Sequence, residues 1–246
     1  MGPEGEVVSV IIPVYNGERF LAEAIDSVFA QVYRPIEVIV VDDGSDDRSA
    51  EIARSYADVR VLSQGNSGLA AARNAGIAVA TGAFIAFLDA DDVMLPTNLR
   101  IQVDYMHDHP EVGCTLGAWE NFGAPVDDKW QVDPPPRPDG PIDVASREAL
   151  EHLRGGGIGL ALVVRRSALD VVGYFDTSFD FAEDLDWLFR LRESGIPAVI
   201  LPDIVGHRRL HPSNMTKDRS AAVAGWLRFL KGVAGRRHAK EPADDH

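Results

Sequence analysis

The sequence predicts a doubly wound α/β domain whose N-terminal half is a mostly parallel sheet. Three observations carry that prediction. Short, β-branched apolar runs alternate with helical stripes through the first half of the 246 residues; those runs stop abruptly in polar or acidic residues; and no repeat or convincing linker divides the chain. Strands alternating with helices imply βαβ units, parallel pairing and right-handed crossovers.

The first run is "VVSVIIPV", the pattern of a strand covered on both faces. Phe20, Leu21, Ala24, Ile25, Val28 and Phe29 then form a stripe of period near 3.6, which predicts a helix. "IEVIVV" repeats the strand pattern and stops at Asp42 and Asp43. In "GSDDRSAEIARSY", Ser45 or Asp46 is the expected N-cap of a helix packing through Ile52 and Tyr56. "VRVLS" is a third strand, "SGLAAARNAGIAVA" a helix and "AFIAFL" a fourth strand.

The second half is less regular. A helix is expected from about Thr97 to His107, and "VGCTLGAW" reads as a strand in which Cys114 is a small buried hydrophobe. From Trp119 to Ile142 the chain is too rich in Pro, Gly and Asp for a regular element, and a loop of that length is usually functional or disordered. "SREALEHL" predicts a helix, "LALVVRR" a strand and "EDLDWLFRLRES" a helix, with "AVILPDIV" and "GHRRLH" as two closing strands. After residue 216 a basic amphipathic helix is expected. Trp226, Leu227, Leu230 and Val233 share its apolar stripe, and Arg228, Lys231, Arg236 and Arg237 supply charge. Such a helix either lies on an anionic membrane surface or docks on its own domain.

Composition narrows the function. A formal charge of -14 argues against nucleic-acid binding and leaves any anionic substrate in need of local positive charge, from side chains or a metal ion. One cysteine precludes an internal disulfide, and no apolar run approaches the ~20 residues of a membrane span. The amino terminus carries acids where a secretory signal needs bases, so a cytoplasmic location is expected, with contact at the inner face of the membrane if the basic helix binds lipid.

Ligands of open α/β sheets bind beyond the carboxyl ends of the strands, where strand order reverses. Three strand ends carry polar chemistry: Pro13 to Asn16, Asp42 with Asp43, and Asp89 to Asp92 in "FLDADD". With the order 3-2-1-4, the two acidic clusters flank strand one and stand roughly 10 Å apart, a span that suits a nucleoside diphosphate. Carboxylates cannot hold phosphates directly, but they hold Mg²⁺ or Mn²⁺, which bridge to phosphate oxygens. The glycine-rich phosphate loops GxxxxGK[ST] and GxGxxG are absent, so the metal route is the one on offer.

"VSVIIPVYNGERFLAEAIDSVFAQ", "IEVIVVDDGSDDRS", "GNSGLAAARNAGIAVATGAFIAFLDADD" and "RRSALDVVGYFD" with "AEDLDWLFRL" closely resemble family 2 glycosyltransferases of the GT-A fold, over roughly residues 7 to 216. The resemblance implies a single Rossmann-like domain over 1–216, with a nucleotide-binding half over about 7–95, an acceptor and catalytic half over about 96–216, and a separate tail over 217–246. It implies inverting transfer of a sugar from a nucleotide diphosphate sugar, UDP being the commonest carrier, to a glycan or lipid-linked hydroxyl. Pro13, Tyr15 and Asp43 match the nucleoside pocket, with Asp43 reaching the base, and Arg73 matches an arginine lining the donor site. Asp89 and Asp91 match the DxD motif, Asp91 being the more direct metal ligand, while Asp92 orders the turn. Asp184 matches the general base and Glu183 its supporting contact. His211, in "RRLHPSNMT", matches a third ligand of Mn²⁺ or Mg²⁺, with His207 the lesser candidate. Trp119 and Trp130 fall where relatives meet the acceptor, and either stack on a sugar or lipid or anchor in the hydrophobic core; Gly155 to Gly157 either let backbone approach the donor sugar or only turn the chain. Two other readings compete: a sugar-1-phosphate nucleotidyltransferase, and a non-catalytic nucleotide-sugar-binding module.

Overall fold

The structure is a computed structural model that describes residues 5–123, 134, 137–146, 148–153, 161–179, 181–211, 214, 225, 227, 228, 231 and 232. The N-terminal half runs β1 (Val8–Val14), α1 (Leu21–Phe29), β2 (Ile36–Asp42), α2 (Ser49–Arg54), β3 (Val59–Ser63), α3 (Leu69–Val79) and β4 (Phe84–Phe87). The remainder runs β5 (Val93–Met94), α4 (Asn98–Asp108), β6 (Cys114–Phe122), β7 (Ile142–Asp143), α5 (Ala149–Leu153), β8 (Leu162–Arg165), α6 (Arg166–Val172), α7 (Glu183–Glu193) and β9 (Ala198–Arg209).

These strands form one sheet of order β3-β2-β1-β4-β8-β6-β9-β5, with β7 paired to β9. The first half is wholly parallel, β1 lying between β2 and β4 as the 3-2-1-4 order requires. β8 joins antiparallel to both β4 and β6, and so welds the second half to the first.

Alternation along β1 explains why both faces are apolar. Val10 and Ile12 enter one core with Leu21, Ile25 and Val28 of α1 and Leu99, Val103 and Met106 of α4. Ile11 points the other way, into a core with Ala72 and Ile77 of α3 and Trp187, Leu188 and Leu191 of α7. Gly76 allows α3 to sit this close, since a Cβ there would lie 2.5 Å from Ile11 Cγ2.

Four expectations change. The helix after β2 is capped neither by Ser45 nor by Asp46: it begins at Ser49 after Arg48. Ser45 Oγ instead accepts from Asn16 N at 2.9 Å, and Asp46 N donates to Asn16 Oδ1 at 2.8 Å, so both residues latch the β1–α1 loop. The two closing strands are one, β9. Pro202 is accommodated because the register against β6 jumps from Leu116↔Ile200 to Ala118↔Ile204, leaving an irregular stretch where its missing N–H breaks no ladder bond. β6 continues through Phe122, shortening the expected loop, and Trp119 is 5% exposed beneath Arg208, an anchor within the protein. Finally, β5 is a two-residue strand that pattern reading does not anticipate; it pairs Val93 with His207 and so carries the preceding acidic turn to the end of β9.

Trp130, Gly155 to Gly157, Trp226, Leu230, Val233, Arg236 and Arg237 lie outside the described residues. Residues 225, 227, 228, 231 and 232 are helical, Leu227 is exposed, and Arg228 Nη1 donates to the carbonyl oxygen of Ser178. Among the described residues no helix is long and apolar enough to cross a membrane.

Candidate active site

The carboxyl ends of β1 and β2 place Pro13 in register with Val41 and Val14 with Asp42. Beyond them the backbone turns at Asn16, whose φ of 53° is the left-handed conformation that asparagine tolerates. The latch to Ser45 and Asp46 fixes that turn, leaving the Tyr15 ring 52% exposed beside it. Asp43 is buried and accepts three bonds: Gln64 Nε2 at 2.8 Å and Ser67 N at 2.9 Å on Oδ1, and Gly68 N at 2.9 Å on Oδ2. A carboxylate offers about four lone-pair sites, so Oδ2 retains one for a ligand N–H.

The acidic turn after β4 separates its carboxylates by function. Asp92 is buried, and Oδ1 accepts from Arg209 N at 2.8 Å. Burial, with Asp91 and Asp89 adding repulsion, pushes its pKa well above the usual carboxylate range. It orders the turn, as expected. Asp89 Oδ1 accepts from Arg73 Nη2 at 2.9 Å. Asp91 Oδ2 lies 2.8 Å from His211 Nε2 and 3.2 Å from Asn214 Nδ2.

The expected metal set of Asp89, Asp91 and His211 is therefore only partly assembled. Among the described residues no three of His, Cys, Asp and Glu converge on one point. Asp91 and His211 do fit a hard divalent cation as a pair. Two ligands on adjacent octahedral vertices at ~2.1 Å from an ion stand roughly 3 Å apart, and these nitrogen and oxygen atoms are 2.8 Å apart. His207 Nε2 is instead 4.0 Å from Glu120.

α7 delivers the acidic pair. Ala182, buried at φ 71°, turns the chain just before the helix, and Glu183 and Asp184 occupy its first turn. A non-glycine residue held left-handed is a strained feature of the kind that gathers at functional sites. Glu183 is 4% exposed, and its Oε1 accepts from Arg73 Nη1 at 2.5 Å. Burial and the neighbouring Asp184 raise its pKa to about 7 despite the opposing pull of Arg73. Asp184 is also raised by burial, with Arg73 again opposing.

Arg73 is thus not the exposed helix arginine that its sequence context allows. It is 2% exposed, lies 5.8 Å from the ring centroids of both Phe87 and Phe175, and bridges Glu183 to Asp89. Its neighbour Asn74 exchanges two bonds with Phe175, donating to O at 2.8 Å and accepting from N at 3.0 Å. Sequence reasoning missed Asn74, Gln64, Arg209 and Asn214. Asn74, Arg209 and Asn214 stand inside quoted motifs close to candidate residues, a signal in hand; Gln64 gave none beyond proximity.

The profile of glycosyl transferase family 2 matches residues 9–173. An uncharacterized glycosyltransferase of Rickettsia prowazekii is 34% identical over 188 residues, 75% of this chain, and the chain spans 58% of that relative's length. Among solved structures, TarS of S. aureus in complex with UDP-GlcNAc superposes with TM-score 0.71 at 20% identity, covering 86% of this chain and 60% of its own. Mannosyltransferase PcManGT of Pyrobaculum calidifontis, in complex with GDP-Man and Mn²⁺, gives 0.70 at 22%, covering 92% and 64%. At such identities the likeness is one of fold, the GT-A fold. The profile match across β1 to α6, on a sheet of this order, shows that the chain belongs to glycosyl transferase family 2.

Proposed function

We propose that the protein is an inverting, metal-dependent glycosyltransferase. It moves a sugar from a nucleoside diphosphate donor, a UDP-sugar foremost, to a hydroxyl of a glycan or lipid-linked acceptor in polysaccharide, glycolipid or other glycoconjugate biosynthesis. The observation that carries this reading is the Arg73 bridge, which joins Asp89 of the strand-end turn to Glu183, the neighbour of Asp184. The two halves of a displacement site, leaving group and base, are thereby tied to one guanidinium. The complexes of TarS with UDP-GlcNAc and of PcManGT with GDP-Man support the donor class.

In this reading Tyr15 packs on the base and Asp43 Oδ2 accepts an N–H from it. Asp184 takes the proton of the acceptor hydroxyl as its oxygen attacks the anomeric carbon opposite the diphosphate. One C–O bond forms as the bond to the diphosphate breaks, with inversion and no covalent enzyme intermediate. Burial suits Asp184 to the task, because a raised pKa makes it a stronger base than an ordinary aspartate. Asp91 and His211 would hold Mn²⁺ or Mg²⁺, which when bound supplies positive charge to the departing diphosphate. The location in this reading is cytoplasmic, and the bond from Arg228 to the Ser178 carbonyl favours docking of the C-terminal segment on its own domain over contact with the inner membrane face.

Calorimetric titration with UDP and GDP, with and without Mn²⁺, followed by a product assay, tests the reading. Mn²⁺-dependent nucleotide binding with sugar transfer is expected. Binding without turnover would reduce the protein to a binding module, and formation of a nucleotide sugar from a sugar 1-phosphate would make it a nucleotidyltransferase.

A further inference from the structure

Arg209, at the end of β9, touches more of the acidic turn than any candidate residue does, yet no step above uses it. Its guanidinium lies between two rings, 4.8 Å from the centroid of Phe20 and 4.3 Å from that of Phe122. Nε donates to the Asp91 carbonyl at 2.9 Å, the backbone N donates to Asp92 Oδ1 at 2.8 Å, and Nη2 pairs with Glu23 at 2.5 Å. One residue thus pins two consecutive positions of the turn.

The contacts reach His211 as well. Asn214 Nδ2 donates both to the Arg209 carbonyl at 3.0 Å and to Asp91 Oδ2 at 3.2 Å, while Asn214 Oδ1 accepts from His211 N at 2.7 Å. Phe20, stacked on Arg209 from one side, presents its ring 4.7 Å from the His211 ring. Arg209 is therefore linked twice to Asp91, through its carbonyl and through Asn214, and twice to His211, through Asn214 and through Phe20. Glu23 neutralises the guanidinium, whose charge would otherwise oppose a cation at this pair.

We infer that Arg209 is a positioning residue that sets the separation and orientation of Asp91 and His211, and with them the affinity for a divalent cation. The inference rests on the metal-dependent reading above. A planar fork with two stacking faces is what the position demands. Lysine keeps the charge and loses both the fork and the stacking. Residues that orient metal ligands from behind typically govern affinity by 10–100-fold.

Electron paramagnetic resonance of Mn²⁺ titrated into the full chain with saturating UDP reads bound and free metal without recourse to activity. Arg209→Lys is expected to raise the Mn²⁺ Kd about 10–100-fold, with transfer recovering at saturating Mn²⁺. A residue that only stapled the fold would lower thermal stability and leave that recovery absent. Phe20→Leu removes the ring that links Arg209 to His211, on a partly exposed site that tolerates the change, and is expected to weaken Mn²⁺ in the same direction; it decides the matter if Arg209→Lys does not fold. Wild-type Mn²⁺ affinity in the folded variants, or lost transfer that excess Mn²⁺ fails to restore, overturns the inference alone. Wild-type protein that binds UDP but no Mn²⁺ overturns the metal-dependent reading and this inference with it.

Discussion

Arg73 and Glu183 are separated by 110 positions of sequence, and their side chains meet at 2.5 Å with almost no solvent access to either. The contact crosses from α3, in the N-terminal half, to α7, in the C-terminal half. It makes the placement of Glu183 and Asp184 dependent on the same cation that holds Asp89.

Breaking that contact from one side is expected to be costly. Arg73→Ala strands a buried carboxylate, and losing one partner of a buried pair costs about 3–5 kcal/mol. The double variant Arg73→Met with Glu183→Gln, which leaves neither charge of the pair, is expected to be more stable than Arg73→Ala. Urea unfolding of the variants gives the comparison, and a single-variant loss below about 1 kcal/mol would mean that the pair is solvated.

Stability is expected to depend on pH through Glu183. Its folded pKa, about 7, lies above the ordinary 4.5, so the folded state binds this proton more readily than the unfolded chain does. The contribution is fully present below about 4.5 and is lost as pH rises through about 7. A shift of that size corresponds to on the order of 3 kcal/mol. Thermal melts of wild type and Glu183→Gln, compared from acid to neutral pH, are expected to show the variant gaining relative stability as pH rises. A constant difference between the two refutes the assignment.

Asp184→Asn preserves shape and removes the proposed base. The transfer rate is expected to fall about 10²–10⁴-fold with donor affinity unchanged. In the wild type, the acidic limb of kcat is expected above the usual aspartate range, activity falling as Asp184 takes up its proton. Full-rate transfer by the variant removes Asp184 from the mechanism.

For Asp91→Ala, the expected loss is the Mn²⁺-dependent part of UDP affinity, since one of the two proposed protein ligands is removed. Calorimetry with and without Mn²⁺ isolates that part. Undiminished enhancement would point to another ligand set.

Asp43→Asn replaces one acceptor oxygen by an NH₂ group facing N–H donors from Gln64, Ser67 or Gly68. Leaving such a buried donor unsatisfied costs about 1–3 kcal/mol. Both stability and UDP affinity are expected to drop, and a variant with wild-type UDP affinity would free Asp43 from the base-reading role.

The parallel half of the fold was legible because its signals are local. Each β-branched run there is buried on both faces, and each turn into a helix is short, so period and punctuation suffice. β9 was misread as two strands because Pro202 and Asp203 look like a break, and only the register jump against β6 shows that they are accommodated. β5 carries too few residues for any periodicity. In the site, the acidic strand end singled out Asp89 and Asp91, and the family resemblance supplied His211, Glu183 and Asp184, but neither supplied the partners. Whether Asp89 turns to Arg73 or to a cation, and whether Asp43 is already engaged by backbone amides, depends on contacts between loops that pattern cannot see. The role of Arg209 was hidden for the same reason: its side chain meets Phe20, Glu23, Asp91 and Phe122, all from distant segments.

β9 follows every other described strand in the sequence, yet it lies inside the sheet between β6 and β5. While the chain is still emerging from the ribosome, the loops around Asp43 can close on neighbours 21 to 25 positions away. The Asp91–His211 contact must wait for residues 120 positions downstream. Such long-range closures come late in folding and are slow. On the proposed reading, a nascent chain therefore forms the Asp43 pocket for a base before it can bring Asp91 and His211 together for an ion, and sugar transfer waits until β9 has been translated.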